Sequence, residues 1–219
     1  EIAASDAVGE EQVVSVTGLN GPAATKVEQP LRIKAPWWPA NRLKTLFAAL
    51  AGFGITILAS ELGNIGEDIV GRPVPIEDPS DYPGAPLPTA LLVGLVHPSC
   101  FIMVLMGITQ RRLSVLEKPY LALCIVVLLG TLGVPLPQIG QGALMVLFPA
   151  WLYLQTERLG LAIAAYLPSG LVTAALILGG GPRIQGFDVM LPGQPPFQPL
   201  WFSVLGATLV LGGVYGLAG

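Results

Sequence analysis

The only histidine of the chain, His97, is the side chain best able to ligate a metal inside an apolar segment. It lies in residues 88–109, whose sequence is PTALLVGLVHPSCFIMVLMGIT. A neutral imidazole nitrogen is a good metal ligand, and the central Mg²⁺ of chlorophyll or another tetrapyrrole pigment is one metal that it could hold. The same imidazole could instead be hydrogen-bonded to a neighbouring helix. His97 is therefore a candidate cofactor-binding residue, with a purely structural role as the alternative.

A second candidate site is the pair Glu61 and Asn64, in the sequence Glu61-Leu-Gly-Asn64. This ExxN spacing resembles the pigment-ligating helix of light-harvesting proteins, and the resemblance implies that both residues bind a cofactor. The family motif continues with an arginine two residues after the asparagine, where this chain has Gly66. The resemblance covers only these few residues and identifies no family.

Acidic residues and cysteines are the other groups that could hold a metal. A set of five carboxylates between the first two apolar segments could bind a hard cation, although it lacks the EF-hand pattern. A solvated or partner-facing acidic loop is the alternative for this set, which consists of Glu67, Asp68, Glu77, Asp78 and Asp81. Cys100 and Cys124 lie in apolar segments without CxxC spacing, so we expect small hydrophobic side chains rather than a disulfide or metal site.

Signatures of catalysis are missing from the sequence, which contains no HExxH, GxSxG, Walker GxxxxGK[ST] or CxxCH motif. An ionisable group at membrane depth usually marks an ion path or a substrate site. His97 is the only such group within the apolar segments, because Glu61 and Glu157 fall at segment ends. We therefore expect no catalytic residues and no enzyme activity.

The composition is that of a membrane protein. Hydrophobic residues make up 53% of the 219 residues and charged residues only 11%, whereas soluble domains carry about 25% charged residues. So few charges cannot cover a water-facing surface. The net charge of −3 and the lack of a Lys/Arg block exclude a nucleic-acid-binding surface. We predict an all-α integral membrane protein.

Apolar runs of about 20 residues allow helices to cross a hydrocarbon core. The chain has about six apolar segments, several of them short and interrupted by glycine or proline. The predicted transmembrane domain, residues 37–219, therefore contains spans near 45–62, 88–109, 119–134, 138–154, 160–178 and 200–218. No charge separates the third span from the fourth, so residues 119–154 could form either two thin spans or one re-entrant hairpin.

Small residues and prolines are expected to shape these helices. Ala48, Gly52 and Thr56 recur every four residues, a pattern that lets neighbouring helices approach closely in lipid. A proline inside a span removes a backbone donor and is expected to kink or break the helix. This applies to Pro98, Pro149 and Pro168.

Polar segments precede and join the spans. Residues 1–36 contain no aromatic residue and no sustained period, so they are predicted to form an extended arm that cannot order itself. Long proline-rich loops are predicted at 61–85 and 180–198. With six spans, Arg72 and Arg183 lie on one side, and nine cations lie on the other side with both termini: Lys26, Arg32, Lys34, Arg42, Lys44, Arg111, Arg112, Lys118 and Arg158. Because cationic loops stay inside, both termini are predicted on the cytoplasmic or stromal-type side.

These features favour a non-catalytic accessory subunit of a larger membrane complex. A photosynthetic or energy-transducing assembly with bound pigment or lipid suits the composition, in a thylakoid or bacterial inner membrane. Other membrane subunits would contact the arm and the two long loops. The alternative is a small-molecule channel or carrier with a midplane site at the proline breaks. An enzyme acting on lipid would need a base and an anionic-site pair that the sequence lacks.

Overall fold

The computed structural model describes residues 41–70, 86–114, 118–188 and 196–218, and in these residues the chain is mostly helical with no strand. Its helices, numbered in chain order, are α1 (Arg42–Val70), α2 (Pro86–Leu113), α3 (Pro119–Thr131), α4 (Ile139–Thr156), α5 (Leu159–Ile177) and α6 (Leu200–Ala218). A 3₁₀ turn, Leu136–Gln138, precedes α4. The arm predicted over residues 1–36 lies outside the described residues.

Four of these helices, α1, α2, α5 and α6, are long and apolar enough to cross a membrane. The prediction of a helical protein with membrane-spanning helices is therefore supported. α3 has 13 residues, which corresponds to about 20 Å and is shorter than a hydrocarbon core of about 30 Å. α4 has 18 residues, but its glutamines and proline make it less apolar. Length and hydropathy of the described helices thus support four spans and do not confirm the count of six.

The prolines lie inside helices rather than at their ends. Pro149 and Pro168 are internal to α4 and α5, which continue through them. Pro98 is likewise internal to α2, between π-helical stretches at Leu92–Val96 and Met103–Gln110. A π-helical turn accommodates a missing backbone donor, and neighbouring helices help to satisfy the freed carbonyl. The expected glycine and proline interruptions are therefore not confirmed.

The structure corrects the polar loop predicted over residues 61–85, because α1 continues as helix through Val70. With 29 residues, α1 is about 43 Å long and exceeds a hydrocarbon core of about 30 Å, so its last turns extend beyond the core. Glu61, Asn64 and Glu67 in these turns form hydrogen bonds with other parts of the chain. Residues 71–85, the rest of the predicted loop, lie outside the described residues.

α1 is the central helix of the bundle and packs on α4, α5 and α6. Its glycines allow close approach, since Gly52 lies against the backbone of Ala165 in α5 and Gly54 against that of Gly206 in α6. One core cluster joins α1, α4 and α5 and consists of Ala48, Ala51, Ile55, Phe148, Leu152, Leu161, Ala164 and Ala165. The small-residue face predicted for this helix is confirmed at Gly52.

α2 lies at the periphery of the bundle and packs chiefly on α5. Gly94 and Pro98 of α2 approach Gly170 of α5 so closely that a β-carbon on Gly170 would meet both of them. Nearer the other end of α2, Gly107 faces Leu159. The contacts follow each other in opposite directions along the two helices, so α2 and α5 are antiparallel.

α4 runs antiparallel to α1. Gln138, just before α4, donates a hydrogen bond of 3.1 Å to Glu67 near the end of α1. Leu152, late in α4, belongs to the same core cluster as Ala48, early in α1. The turn between α3 and α4 therefore lies at the same end of the bundle as the last turns of α1.

The two ends of the bundle differ in charge. α6 brings the carbonyl of Leu217 to the ammonium of Lys44, at 3.5 Å, so the start of α1 and the end of α6 share one end. In the described part of the chain, this end carries six cations: Arg42, Lys44, Arg111, Arg112, Lys118 and Arg158. The opposite end carries Arg183 as its only described cation, together with Glu61, Glu67, Asp68 and Asp188. The charge asymmetry predicted from the sequence is thus present in the fold.

Candidate functional site

His97 lies on the outward surface of α2 and is exposed. At about 1.5 Å per residue it stands roughly 16 Å from Pro86 and roughly 24 Å from Leu113, near mid-depth of a hydrocarbon core. Its imidazole stacks on Phe101, one turn later, with ring centroids 6.1 Å apart and an interplanar angle of 17°. It makes no hydrogen bond to another residue in the described ranges. The structure thus places the predicted ligand on the outside of the bundle.

The outward direction of His97 follows from how α2 packs on α5. Gly94 and Pro98 are buried, and both lie against Gly170. His97 lies about 100° around the helix axis from Pro98, so it is off the line of contact with Gly170 and is exposed. Rotating α2 to bring His97 inward would separate Gly94 and Pro98 from Gly170 and open the closest contact between the two helices.

The surface around His97 is apolar. Leu92, Val96, Met103 and Val104 are exposed on the turns before and after it. α6 also presents an apolar outer face, but its 19 residues contain no histidine, acidic or basic residue. Trp201 and Tyr215, 61% and 85% exposed near the two ends of α6, lie where aromatic residues mark the two interfaces of a lipid-facing helix. The outer face of α2 thus carries an imidazole at mid-depth, and the outer face of α6 does not.

Glu61 and Asn64, the second predicted pair, lie together and bind the connection between α5 and α6. The amide nitrogen of Asn64 donates to a Glu61 carboxylate oxygen at 3.1 Å and to the Gly186 carbonyl at 2.6 Å. The same Glu61 oxygen accepts the backbone N–H of Gln198 at 2.9 Å. Ser60 adds a hydrogen bond from its hydroxyl to the Gly186 carbonyl, at 3.2 Å.

We call these five residues the loop clamp: Ser60, Glu61, Asn64, Gly186 and Gln198. Gly186 has a φ of +72°, a left-handed conformation that glycine adopts without strain. A β-carbon there would also run into Pro196 and Gln198. The clamp gives Glu61 and Asn64 a structural role, and pigment ligation by this pair stays a prediction.

His97 and the loop clamp do not form one site. The clamp joins the end of α1 to the connection before α6, whereas His97 lies on the outer face of α2, which packs chiefly on α5. Gly186 and Gln198 were not predicted from the sequence, because their partners are 122 and 137 residues away along the chain. A glycine and a glutamine in a proline-rich segment were the only local signals.

The loop clamp leads to a stability prediction. Asn64→Leu keeps a side chain of similar size but removes the bonds to Gly186 and Glu61, and we expect a loss of about 1–3 kcal/mol. The amide of Gln198 should then exchange with solvent deuterium roughly tenfold faster. Thr208→Val is the control, because the Thr208 hydroxyl bonds only within α6 in the described structure. Unchanged exchange at Gln198 in the Asn64 variant would contradict the clamp.

The predicted acidic set does not assemble into a described metal site. Glu67 is 8% exposed, one of its oxygens accepts the Gln138 hydrogen bond, and the other is buried with no partner among the described residues. Asp68 is exposed on the same helix. Glu77, Asp78 and Asp81 lie outside the described residues. Within the described ranges, no group of three or more His, Cys, Asp and Glu side chains could hold a metal ion.

The buried polar side chains lie toward the two ends of the bundle. Asn64, Glu67 and Gln198 are buried at the acidic end. The side-chain amide of Gln110, buried at the other end, donates a hydrogen bond of 2.9 Å to the carbonyl of Ala150 and so connects α2 to α4. The described helices thus bury none of their strongly polar side chains at mid-depth, where the channel or carrier hypothesis needs them. Cys100 and Cys124 are exposed free thiols.

Comparison with known proteins gives no relative for this chain: no protein-family model, curated protein or solved structure matches it.

Proposed function

We propose that this protein is a non-catalytic subunit of a larger complex in an energy-transducing or photosynthetic membrane. The observation that carries the proposal is the imidazole of His97, exposed near mid-depth on the outer face of α2. Ionisable side chains in membrane-spanning helices almost always face the bundle interior or a cavity, because lipid satisfies no hydrogen bond. A partner subunit seated on this face would remove His97 from lipid.

The partner is a membrane-embedded protein with an apolar surface. α2 offers the apolar side chains on either side of His97, and it lies at the periphery, so a helix can pack along it. The outer face of α6, with aromatic residues at its two ends, is instead suited to lipid. The two outer faces therefore have different roles, which makes α6 a control surface for α2.

The topology proposed for this subunit has six crossings. Lys118 lies at the cation-rich end of the bundle, and Gln138 lies at the opposite end, beside the last turns of α1. This placement of residues 118 and 138 supports a crossing between them. α3 covers part of that path, and it is followed by a hydrogen-bonded turn from Thr131 to Val134 and by the 3₁₀ turn Leu136–Gln138. Both termini then lie at the end rich in cations, which is the cytoplasmic or stromal-type side of a thylakoid or bacterial inner membrane.

The polar segments supply further contacts with partner subunits in this proposal. They are the arm over residues 1–36, the acidic segment after α1 and the connection over residues 180–198. Their composition supports this role, because segments of low hydrophobicity become ordered when they bind. The loop clamp fixes Gly186 and Gln198 of the last of these connections against α1.

Bulky substitutions on the two outer faces test the proposal. Val104→Trp adds a large side chain to the outer face of α2, and Leu211→Trp does the same on α6, at positions that are 53% and 71% exposed. Because interface residues pack closely, we expect Val104→Trp to weaken assembly at least about tenfold and Leu211→Trp to leave it unchanged. The measurement is the mass of the assembly after mild solubilisation of native membranes.

A wild-type chain that runs alone and monodisperse, at the mass of its 22.9 kDa plus detergent, would overturn the subunit function. An equal loss of assembly in both tryptophan variants would overturn the assignment of the contact to the outer face of α2. An assembly whose mass is a whole multiple of this chain would replace the foreign partner with further copies of the protein.

A further inference from the structure

The outer face of α2 combines one ligand with an apolar surface. The imidazole of His97 is the ligand, and its ring is supported by Phe101, which is itself in contact with Tyr166 of α5 at a centroid distance of 5.6 Å. This series of rings links the outer surface to the bundle interior and holds the imidazole in place. The contact of Pro98 with Gly170 fixes the helix behind it.

A single imidazole restricts the kind of metal that can bind. A free metal ion in a protein usually needs four or more ligands, and the described residues bring together no group of three or more His, Cys, Asp and Glu side chains. Cys100, one turn from His97, and Met103 are the sulfur ligands exposed nearby on α2, and with His97 they fall short of the four ligands that a free ion needs. A metal bound here must therefore arrive with most of its coordination positions already filled by a chelator.

We propose that His97 is the single axial ligand of a metallo-tetrapyrrole bound to the outer face of α2. The macrocycle supplies four nitrogen ligands, and the neutral imidazole supplies a fifth from one side. The exposed apolar side chains of α2, including Val96 and Met103, would pack against the apolar macrocycle. Coordination would satisfy one of the two imidazole nitrogens, neither of which bonds to a described residue.

The inference deepens the proposed function, because the open side of the macrocycle is the surface that a partner subunit would cover. Binding of the macrocycle can be tested without the partner subunit. A chain isolated in detergent either binds the macrocycle or does not, whatever happens to assembly. Magnesium and iron macrocycles share this coordination chemistry, so separate titrations distinguish them.

The experiment titrates the purified full chain in detergent with chlorophyll a and, separately, with ferrous haem, and follows the absorption bands of each macrocycle. We expect one of them to bind with one molecule per chain. His97→Leu should weaken that binding at least about tenfold, since even outer-shell losses cost this much at metal sites. Cys100→Ala, on the same face, should bind like the wild type. His97→Gly with added imidazole should recover the wild-type spectrum.

Three results would overturn the inference. The first is that the wild-type chain binds neither macrocycle above the level of empty micelles. The second is that His97→Leu binds as tightly as the wild type, which would mean partition into the apolar surface without ligation. The third is that Cys100→Ala loses binding to the same extent as His97→Leu, which would assign the metal to a different ligand set. None of these results bears on whether Val104→Trp disrupts assembly.

Discussion

Gly52→Ala is expected to lower the free energy of unfolding by about 3 kcal/mol, which corresponds to a fall of roughly 10 °C in the melting temperature. A β-carbon at position 52 would overlap the backbone carbonyl of Ala165 in α5. A flexible side chain could move aside, but a helix backbone cannot do so without moving the whole of α5. Because α1 is also packed on α4 and α6, the displacement would spread through the core. Thermal unfolding of the variant in detergent measures this loss of stability.

Gly212→Ala is the matched control for this variant. Gly212 is also a glycine inside a membrane-spanning helix, and a β-carbon there would meet nothing within 4 Å. Since alanine favours helix over glycine by about 0.5–1 kcal/mol, the control should be neutral or slightly stabilising. A Gly52 variant as stable as the Gly212 variant would show that α1 and α5 are not in close contact at this point.

The sequence was sufficient to predict the class of fold, which is a mostly helical chain with helices long and apolar enough to span a membrane. Low charge and long apolar runs predict membrane-spanning helices, because a continuous helix satisfies its own backbone hydrogen bonds in lipid. Small residues spaced four apart predicted the face of α1 that Gly52 occupies. The end of α1 was predicted wrongly because Glu61, Asn64 and Glu67 have the composition of a loop. Their helical conformation depends on partners that are distant in sequence.

The candidate site was only partly predictable for a similar reason. His97 could be identified as the one imidazole of the chain, but its direction depends on which face of α2 meets α5. α2 is apolar all round, so hydrophobic periodicity could not identify that face. The contact of Gly94 and Pro98 with Gly170 determines it, and this is a tertiary contact. The sequence therefore identified His97 as a candidate ligand and left the choice between inside and outside open.

The position of α2 relates the fold to the proposed function. α1 is bound near its start by α6, where Lys44 meets Leu217, and near its end by the loop clamp. α2 instead lies at the edge and depends mainly on α5. A peripheral helix leaves a long face free, and in this chain that face carries the imidazole. The bundle thus provides a rigid support for a surface that is directed outward.

Gly186→Ala is expected to release the connection between α5 and α6 from α1, at a cost of about 2–5 kcal/mol. The left-handed φ of +72° alone costs an alanine about 1–2 kcal/mol. The new β-carbon would also collide with backbone atoms of Pro196, Phe197 and Gln198, which adds overpacking of about 1–3 kcal/mol. Because the collision moves Gln198, its hydrogen bond to Glu61 should be lost. Faster deuterium exchange at Gln198, together with a lower melting temperature, measures the effect.

Gly179→Ala is the control that separates the cost of the left-handed φ from the cost of the collision. Gly179 lies in the same connection with a φ of +73°, and a β-carbon there would meet nothing within 4 Å. This control therefore experiences the backbone strain without the collision, and we expect a loss of about 1–2 kcal/mol with Gln198 still protected. Equal effects in the two variants would mean that strain alone explains them and that the connection is not held against α1. A larger loss of stability in Gly186→Ala than in Gly179→Ala, with faster exchange at Gln198 only in the Gly186 variant, would require the close contact that the loop clamp provides.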